Sequence, residues 1–141
     1  MLKKKRWNFL KMEQIWVEMY KAARAAQRPR KVSERVYAGG VAAAVQSTSG
    51  SIYTGVCVDT SCTLGICAER SAIFAMLTAG DDGIRRVLAI MPDGSCAAPC
   101  GACRELMVQI MAGRTGDVEV MTDYEEGRVV SLADLTPDWW L

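Results

Sequence analysis

The absence of histidine does most to restrict what this chain can be. It has six cysteines and no histidine among 141 residues. This excludes a Ser-His-Asp triad, a Cys-His dyad, a HExxH metalloprotease, a two-histidine iron site and a Cys2His2 zinc finger. Any metal held by side chains must be bound by Cys, Asp or Glu. Any general acid or base must be a carboxylate, Cys, Lys or Tyr.

The length and composition predict one globular domain in which the thiols stay free. Half of the residues are hydrophobic and 23% are charged, which suits a packed core. Disulfide scaffolds are usually shorter and denser in cysteine. No segment reaches the roughly 18 to 20 apolar residues of a membrane span, and the basic start is not followed by the apolar run of a signal peptide. We therefore expect no membrane association and a location in a reducing compartment, the cytoplasm.

The basic residues are concentrated at one end of the chain. Residues 1–35 hold eleven Lys/Arg against three Asp/Glu, a net charge of +8, and residues 36–141 hold six against thirteen, a net charge of −7. This pattern fits a solvated basic helix and tail over an acidic body, or an arm that attracts nucleic acid. Residues 1–11 are interpreted as a basic extension, either disordered or the product of an upstream start. Residues 12–141 are expected to form a single catalytic domain.

Hydrophobic periodicity and turn signals predict an alternation of helices and strands. The order is helix, hairpin, helix, strand, helix and two further strands, before a short helical turn. This order predicts an α/β fold in which one mixed sheet carries helices on its faces. The expected elements are residues 12–27, 38–58, 66–79, 86–91, 101–112, 118–122 and 128–131.

Three cysteines stand at the expected starts of helices. Cys67 begins one helix, and Cys100 and Cys103 form a C-x-x-C pair that places two sulfurs one turn apart at the next. This arrangement suits tetrahedral zinc, and helix N-termini favour thiolates. Two alternatives stay open: a closed structural site with a fourth sulfur from another cysteine, or core thiols without metal. The remaining cysteines, for which core or loop positions are expected, are Cys57, Cys62 and Cys96.

Glu69 lies two residues after the first of these cysteines. Three protein ligands leave a fourth zinc position open, as in catalytic sites. On the same helical turn as Cys67, the Glu69 carboxylate can reach that position and move protons there without being a ligand. Zinc deaminases carry this combination, a His or Cys followed by x-E and later by P-C-x-x-C. Residues 67–69 and 99–103 match its variant with three cysteines.

On these motifs, the chain resembles the small cytidine deaminase family, which includes blasticidin S deaminase. The resemblance covers residues 36–140. Residues 67–74 are similar to the family's C-A-E-R-T-A-L-F, and residues 99–104 to its P-C-G-A-C-R. Residues 52–56 resemble I-F-T-G-V of the blasticidin branch, and residues 135–140 resemble the family's terminal L-L-P-x-x-aromatic.

The resemblance implies a zinc-dependent hydrolytic deaminase with a three-layer α/β/α fold and a mixed five-stranded sheet. It implies one Zn²⁺ per subunit, a homotetramer and a small-molecule substrate. That substrate would be a cytosine-type nucleoside, such as cytidine or deoxycytidine, whose exocyclic amine becomes a carbonyl as ammonia leaves. The role would be in pyrimidine salvage. Glu69 would be the catalytic residue that moves protons between water, ring N3 and the leaving amine.

Three thiolates on Zn²⁺ carry a net charge of −1, which weakens the metal as a Lewis acid. Helix N-termini and nearby cations can withdraw that charge. Arg70 and Arg104 each directly follow a motif residue and are the candidates for this compensation. In the family, the arginine that matches Arg70 bonds to the ligand thiolates. The alternative for both is a surface arginine in an ion pair.

The chain departs from the family at the segment that binds the sugar. Nucleoside-specific members carry N-x-E there, and Cys57 and Asp59 occupy those positions. Ala68 and Trp140 are the other expected substrate contacts. Trp140 would cover a substrate site of its own or a neighbouring subunit, or else seal the core. An alternative substrate is therefore another amino-heterocycle, such as a blasticidin S-like antibiotic or a modified cytosine. A nucleic-acid-binding or editing protein is the weakest alternative, because no aromatic platform accompanies the basic end.

Overall fold

The structure, a computed structural model, describes residues 12–141. The basic segment 1–11 lies outside the described residues, so the expectation about it stays a prediction. The described elements, in chain order, are helix α1 (Gln14–Ala26), strands β1 (Arg30–Ser33), β2 (Val36–Ser47) and β3 (Ile52–Thr60), helix α2 (Ala68–Thr78), strand β4 (Ile84–Ile90), helix α3 (Gly101–Ile110), a 3-10 turn (Thr115–Asp117), strands β5 (Glu119–Asp123) and β6 (Arg128–Ser131), and a second 3-10 turn (Ala133–Leu135).

Strand β2 is the centre of a mixed sheet. Strand β3 pairs antiparallel along one edge of β2, while β4 pairs antiparallel along the other edge. Strand β5 then joins β4 in parallel, and β6 joins β5 antiparallel. Because β3 and β4 are both antiparallel to β2, they run in the same direction, and their carboxyl ends meet at one end of the sheet. The helices that follow these two strands therefore begin close together.

The described sheet has six strands, so the expectation of five is corrected. The additional strand is β1, which pairs with β2 at Arg30↔Ala38 and Lys31↔Tyr37. All four residues of β1 are exposed, so the strand has no alternation of apolar and polar positions. Its place is set by backbone pairing with β2, which leaves little trace in the sequence.

Alternate residues of β2 face two different helical layers, as expected of a pleated strand. Ala42 and Ala44 face α1, while Ala43 and Val45 face α2 and α3. The three-layer α/β/α architecture is therefore confirmed. Within residues 12–141, no helix is long and apolar enough to cross a membrane. The large buried side chains of the α1 layer are Trp16 and Met19 from the helix with Leu88, Ile90 and Met121 from the sheet.

A glycine allows α2 to pack directly on β3. A Cβ atom added to Gly55 would lie 2.2 Å from the backbone nitrogen of Ala72, which leaves no room for any side chain. Backbone therefore meets backbone at this crossing. The contact fixes how far the start of α2 lies from the sheet.

Helix α2 begins at Ala68, two residues later than expected. Ile66 instead forms a short antiparallel bridge with Val58, through backbone hydrogen bonds of 3.0 and 2.9 Å. This bridge holds the chain extended up to Cys67, whose φ of −72° and ψ of 152° make it the N-cap. The first expected zinc ligand is thus fixed to both β3 and α2.

Candidate active site and metal centre

The two helices after β3 and β4 bring three cysteines to one point. Cys67 is the N-cap of α2, and Cys100 is the N-cap of α3. Cys103 lies on the first turn of α3 and is fully buried. Because both caps have extended backbone and neither side chain caps its own helix, the sulfurs are free to point towards one another.

The three sulfur atoms lie within 4.8 Å of one another. Cys67 Sγ is 3.4 Å from Cys100 Sγ, and Cys100 Sγ is 3.5 Å from Cys103 Sγ. Zn–S bonds of about 2.3 Å at tetrahedral angles would separate the sulfurs by about 3.8 Å. These distances fit zinc.

No fourth sulfur closes this cluster within residues 12–141. Cys57 and Cys62 line the neighbouring cleft. Cys96 lies against the α1 layer, and its burial raises the pKa of its thiol to about 12. Each of the six cysteines has a free thiol. The open fourth position of a catalytic site is therefore favoured over a closed structural site.

The thiols of Cys100 and Cys103, at the start of α3, have pKa values that are shifted in opposite directions. Burial would raise the pKa of Cys100, but backbone N–H groups of Cys103 and Ala102 and neighbouring thiols bring it below the usual value. Burial, and then the charge of Glu69, hold the pKa of Cys103 well above the usual value. A deep thiol beside a carboxylate needs added positive charge to ionise, which a metal ion provides.

Glu69 lies on the first turn of α2 and is only 7% exposed. Its Oε2 is 3.8 Å from the Sγ of Cys103. Burial raises the pKa of the Glu69 carboxyl, and this outweighs the opposing hydrogen bonds and the charge of Arg70. A carboxyl group with a raised pKa beside an open metal position is suited to both accepting and returning protons.

The two arginines of the motifs have different surroundings. Arg70 directs Nη2 at Cys67 Sγ, 3.7 Å away, and hydrogen bonding to that thiol is the main cause that raises the pKa of the guanidinium. Arg104 instead donates from Nε to Pro99 O at 2.8 Å and from Nη1 to Leu135 O at 3.0 Å. The contact of Arg70 suits compensation of the thiolate charge, whereas both of these contacts of Arg104 are with main-chain carbonyl groups.

Cys67, Cys100 and Glu69 line a cleft of about 520 Å³, while Cys103 is buried. Cys57, Asp59 and Ala68, three of the four expected substrate contacts, line it. Trp140 is not among the lining residues of the described chain, and it is 69% exposed. Sequence reasoning missed another part of the lining, which comes from β2, β4 and the segment between β4 and Pro99. Its residues are Val41, Ala89, Met91, Ala97 and Ala98.

Cys57 already has a polar partner inside the cleft. The backbone N–H of Val41 donates to its Sγ at 3.2 Å across the β2–β3 pair. The register of β2 against β3 shifts between Ala38 and Ala42, which frees the Val41 N–H from the regular ladder. The thiol of Cys57 therefore acts as an acceptor for a main-chain group that would otherwise be unpaired.

A second cavity of about 620 Å³ lies on the α1 side of the sheet, beside Tyr20 and Tyr124. It is larger than the cleft, but it contains neither the sulfur cluster nor Glu69. We place the active site in the smaller cleft because the metal ligands and the buried carboxyl group converge there.

Comparisons with known proteins agree with this chemistry. The model of the cytidine and deoxycytidylate deaminase zinc-binding region matches residues 12–117. A probable cytidine deaminase of Dictyostelium discoideum is 32% identical over 107 residues, 74% of this chain and 69% of that protein.

Solved structures show the same architecture. The cytidine deaminase of Mycobacterium leprae superposes with a TM-score of 0.70 at 30% identity, over 87% of this chain and 98% of that one. The enzyme of Mycobacterium tuberculosis gives a TM-score of 0.72 at 26% identity, over 89% and 97%. With its Cys67–Cys100–Cys103 zinc site, this chain belongs to the zinc-dependent cytidine and deoxycytidylate deaminase family.

Proposed function

We propose that this deaminase acts on a free cytosine-type nucleoside, such as cytidine or deoxycytidine. In this reaction the exocyclic amine of the nucleoside is replaced by a carbonyl, water is consumed and ammonia is released. The observation that carries the proposal is the convergence of three sulfurs and the buried Glu69 at one cleft. Relatives described as cytidine deaminases support this class of substrate.

When bound by the three thiolates, zinc acts as a Lewis acid and makes a water molecule more acidic. Glu69 moves the protons. It accepts one from the attacking water and donates it to ring N3, so that C4 becomes open to attack. It then delivers the second water proton to the departing amine, which leaves as ammonia. The raised pKa of Glu69 lets the carboxyl group hold a proton midway through this sequence.

The first turn of α2 also provides groups for binding the ring. Ala68 is the first residue of the helix and lines the cleft. The first N–H groups of a helix have no intrahelical partner, because helical pairing begins here with Ser71 N–H to Cys67 O. We assign Ala68 to ring binding through its backbone. Asp59 is exposed and lines the cleft, and we assign it to binding the substituent on the ring.

A second candidate substrate is an amino-heterocycle that lacks a ribose, such as a blasticidin S-like antibiotic or a modified cytosine. The observation that favours it is the hydrogen bonding of the Cys57 thiol. Its sulfur already accepts the Val41 N–H, and a thiol is only a weak donor and a weak acceptor compared with a side-chain amide. A substrate bound through this wall would therefore gain little from sugar hydroxyls.

A panel assay for ammonia release distinguishes these candidates. It includes cytidine, deoxycytidine, deoxycytidylate, cytosine, blasticidin S and a substituted cytosine, with Glu69→Ala as the blank. The highest kcat/KM on cytidine or deoxycytidine would support the nucleoside proposal. A preference for blasticidin S or a substituted base would favour the second candidate. Activity on none of the compounds would contradict both.

We further propose a homotetramer in the cytoplasm with a role in pyrimidine salvage. Apolar side chains are exposed on α2 and at the C-terminus, which suits contacts between subunits. We expect Trp140 to cover the cleft of a neighbouring subunit. Light scattering after gel filtration tests the tetramer, and a monomeric mass would contradict it. These exposed apolar residues are Phe74 and Leu77 on α2 and Trp140 and Leu141 at the C-terminus, and Leu64 is exposed in the loop before α2.

A further inference from the structure

The C-terminal tryptophans are bound to the helix that carries two zinc ligands. Glu105, two residues after Cys103, accepts Trp139 Nε1 on Oε2 at 3.0 Å and Trp140 Nε1 on Oε1 at 2.6 Å. Each carboxylate oxygen thus receives one indole N–H. Hydrogen bonds to a charged acceptor are among the stronger polar contacts in proteins.

Arg104 connects the same turn to a second point of the C-terminal segment. Its guanidinium bonds at once to the carbonyl of Pro99, just before the ligand Cys100, and to the carbonyl of Leu135. One side chain therefore bridges the loop that presents a zinc ligand and the last 3-10 turn. Arg104 and Glu105 together, which we call the clamp, hold the C-terminal segment from residue 135 to residue 140.

The C-terminal segment is itself fixed to the core, so its contacts with Arg104 and Glu105 can restrain the start of α3. Thr136 is buried and donates to Leu132 O at 2.8 Å, while Trp139 packs against the core between the sheet and α2–α3. Asp138 between them has a φ of 52°, a left-handed conformation that few residues other than Gly, Asn and Asp adopt. This bend brings two consecutive indoles to one carboxylate.

We propose that Arg104 and Glu105 are positioning residues that make the C-terminal segment a support of the zinc-ligating turn. Cys100 and Cys103 sit at the first turn of a helix, where main-chain pairing is incomplete. The clamp restrains that turn from outside, at Pro99 before the ligands and at Glu105 after them. Partners that orient metal ligands typically change metal affinity about 10- to 100-fold when removed. The inference depends on zinc binding and is independent of which substrate is deaminated.

The test measures the rate of zinc transfer to a colorimetric chelator from the purified, zinc-loaded, full-length protein. In Glu105→Gln, one carboxylate oxygen becomes an NH₂ group that faces an indole N–H, so one bond is lost and two donors oppose each other. Trp139→Phe and Trp140→Phe each remove one bond and keep an aromatic ring. We expect zinc release about 10-fold faster in Glu105→Gln, and a smaller increase in each tryptophan variant.

Two controls separate positioning from general stability. Glu18→Gln changes an exposed glutamate of α1 and should leave release at the wild-type rate. Met19→Ala removes buried volume from α1, in a core cluster that contains neither Cys103 nor Trp139, and should lower Tm without faster release. The ligand-field bands of Co²⁺ loaded into the site should change in Glu105→Gln and stay unchanged in Met19→Ala. Wild-type release in Glu105→Gln, or equal acceleration in Met19→Ala at a matched loss of Tm, would overturn the proposal.

Discussion

The carboxylate of Glu69 lies 3.8 Å from the sulfur of Cys103, although 34 residues separate them in the chain. The contact joins the first turns of α2 and α3, which begin at the same end of the sheet because β3 and β4 run in the same direction. A proton-transfer group on one helix is thereby placed beside a metal ligand on the other. This single relationship makes the cleft a candidate for hydrolytic chemistry.

We predict that Glu69→Gln keeps zinc and fold but lowers kcat by about 10²- to 10⁴-fold, the usual contribution of general acid–base catalysis. The amide has nearly the same shape as the carboxyl group but cannot shuttle protons. Ammonia release on the best substrate of the panel, together with metal analysis of the same sample, checks the prediction. Glu18→Gln is the matched control. A normal kcat in zinc-loaded Glu69→Gln would refute the role.

We predict that Arg70→Ala and Arg70→Lys retain zinc less well than the wild type. Arg70 directs a guanidinium nitrogen at Cys67 Sγ, and a lysine would offer a point charge in place of the planar fork. We expect a loss of zinc affinity of about 10-fold or more in Arg70→Ala, and a smaller loss in Arg70→Lys. Zinc content after dialysis against a chelator series measures this. Arg85→Ala, an exposed arginine of β4, serves as the control. Full zinc content in both Arg70 variants would contradict the prediction.

The metal centre was predictable because its signals are local. Cys67 with Glu69, and Cys100 with Cys103, are close in sequence, so each pair was expected at the start of one helix, and the spacing of three puts Cys100 and Cys103 on the same side. The absence of histidine removed the competing ligand sets. The convergence of the two helices followed from the expected strand order and from the resemblance, and the structure places the sulfurs accordingly.

The contacts around the site were less predictable, because the residues that make them have partners that are main-chain groups or lie far away in the sequence. Arg104 bonds to two carbonyl groups, which every residue possesses, so the sequence offered no reason to prefer them to a thiolate. The exposed strand β1 escaped prediction for a similar reason, since backbone pairing alone holds it. Nothing in the sequence marks Glu105, because its two indole partners lie 34 and 35 residues further along the chain.

We predict that Cys57→Asn shifts the preference between substrates towards nucleosides with an intact ribose. Asparagine is the residue that nucleoside-specific relatives are expected to use at this position, and its amide can both donate and accept hydrogen bonds. We expect KM for cytidine to fall by about 3- to 10-fold, as for one added hydrogen bond of roughly 1 kcal/mol. Cys57→Ala serves as the comparison, because it removes the sulfur without adding an amide. If the Asn and Ala variants change KM equally, the prediction fails.

The last prediction concerns a cluster that ties the β2–β3 turn to the loop after α2. One carboxylate oxygen of Asp81 accepts hydrogen bonds from the hydroxyls of Tyr53 at 2.5 Å, Ser49 at 2.9 Å and Ser47 at 3.0 Å. The bond from Tyr53 is the main cause that holds the pKa of Asp81 below its usual range. The same bond raises the pKa of the Tyr53 hydroxyl above its usual range.

Each shift gives the stability of the fold a pH dependence of defined sign. Since the pKa of Asp81 is lowered by folding, its contribution is present above the unfolded pKa of about 3.9 and is lost as the pH falls further. The pKa of Tyr53 is raised by folding, so its contribution is present below about pH 10 and is lost as the pH rises through the folded value.

Asp81→Asn and Tyr53→Phe should therefore lower Tm at pH 7 and flatten its dependence on pH. In Asp81→Asn the flattening should be below pH 4, and in Tyr53→Phe above pH 10. Thermal unfolding followed by circular dichroism from pH 3 to pH 11, with Asp82→Asn as the exposed neighbouring control, measures both effects. Parallel curves for the wild type and Asp81→Asn below pH 4 would show that the carboxylate contributes nothing through these bonds.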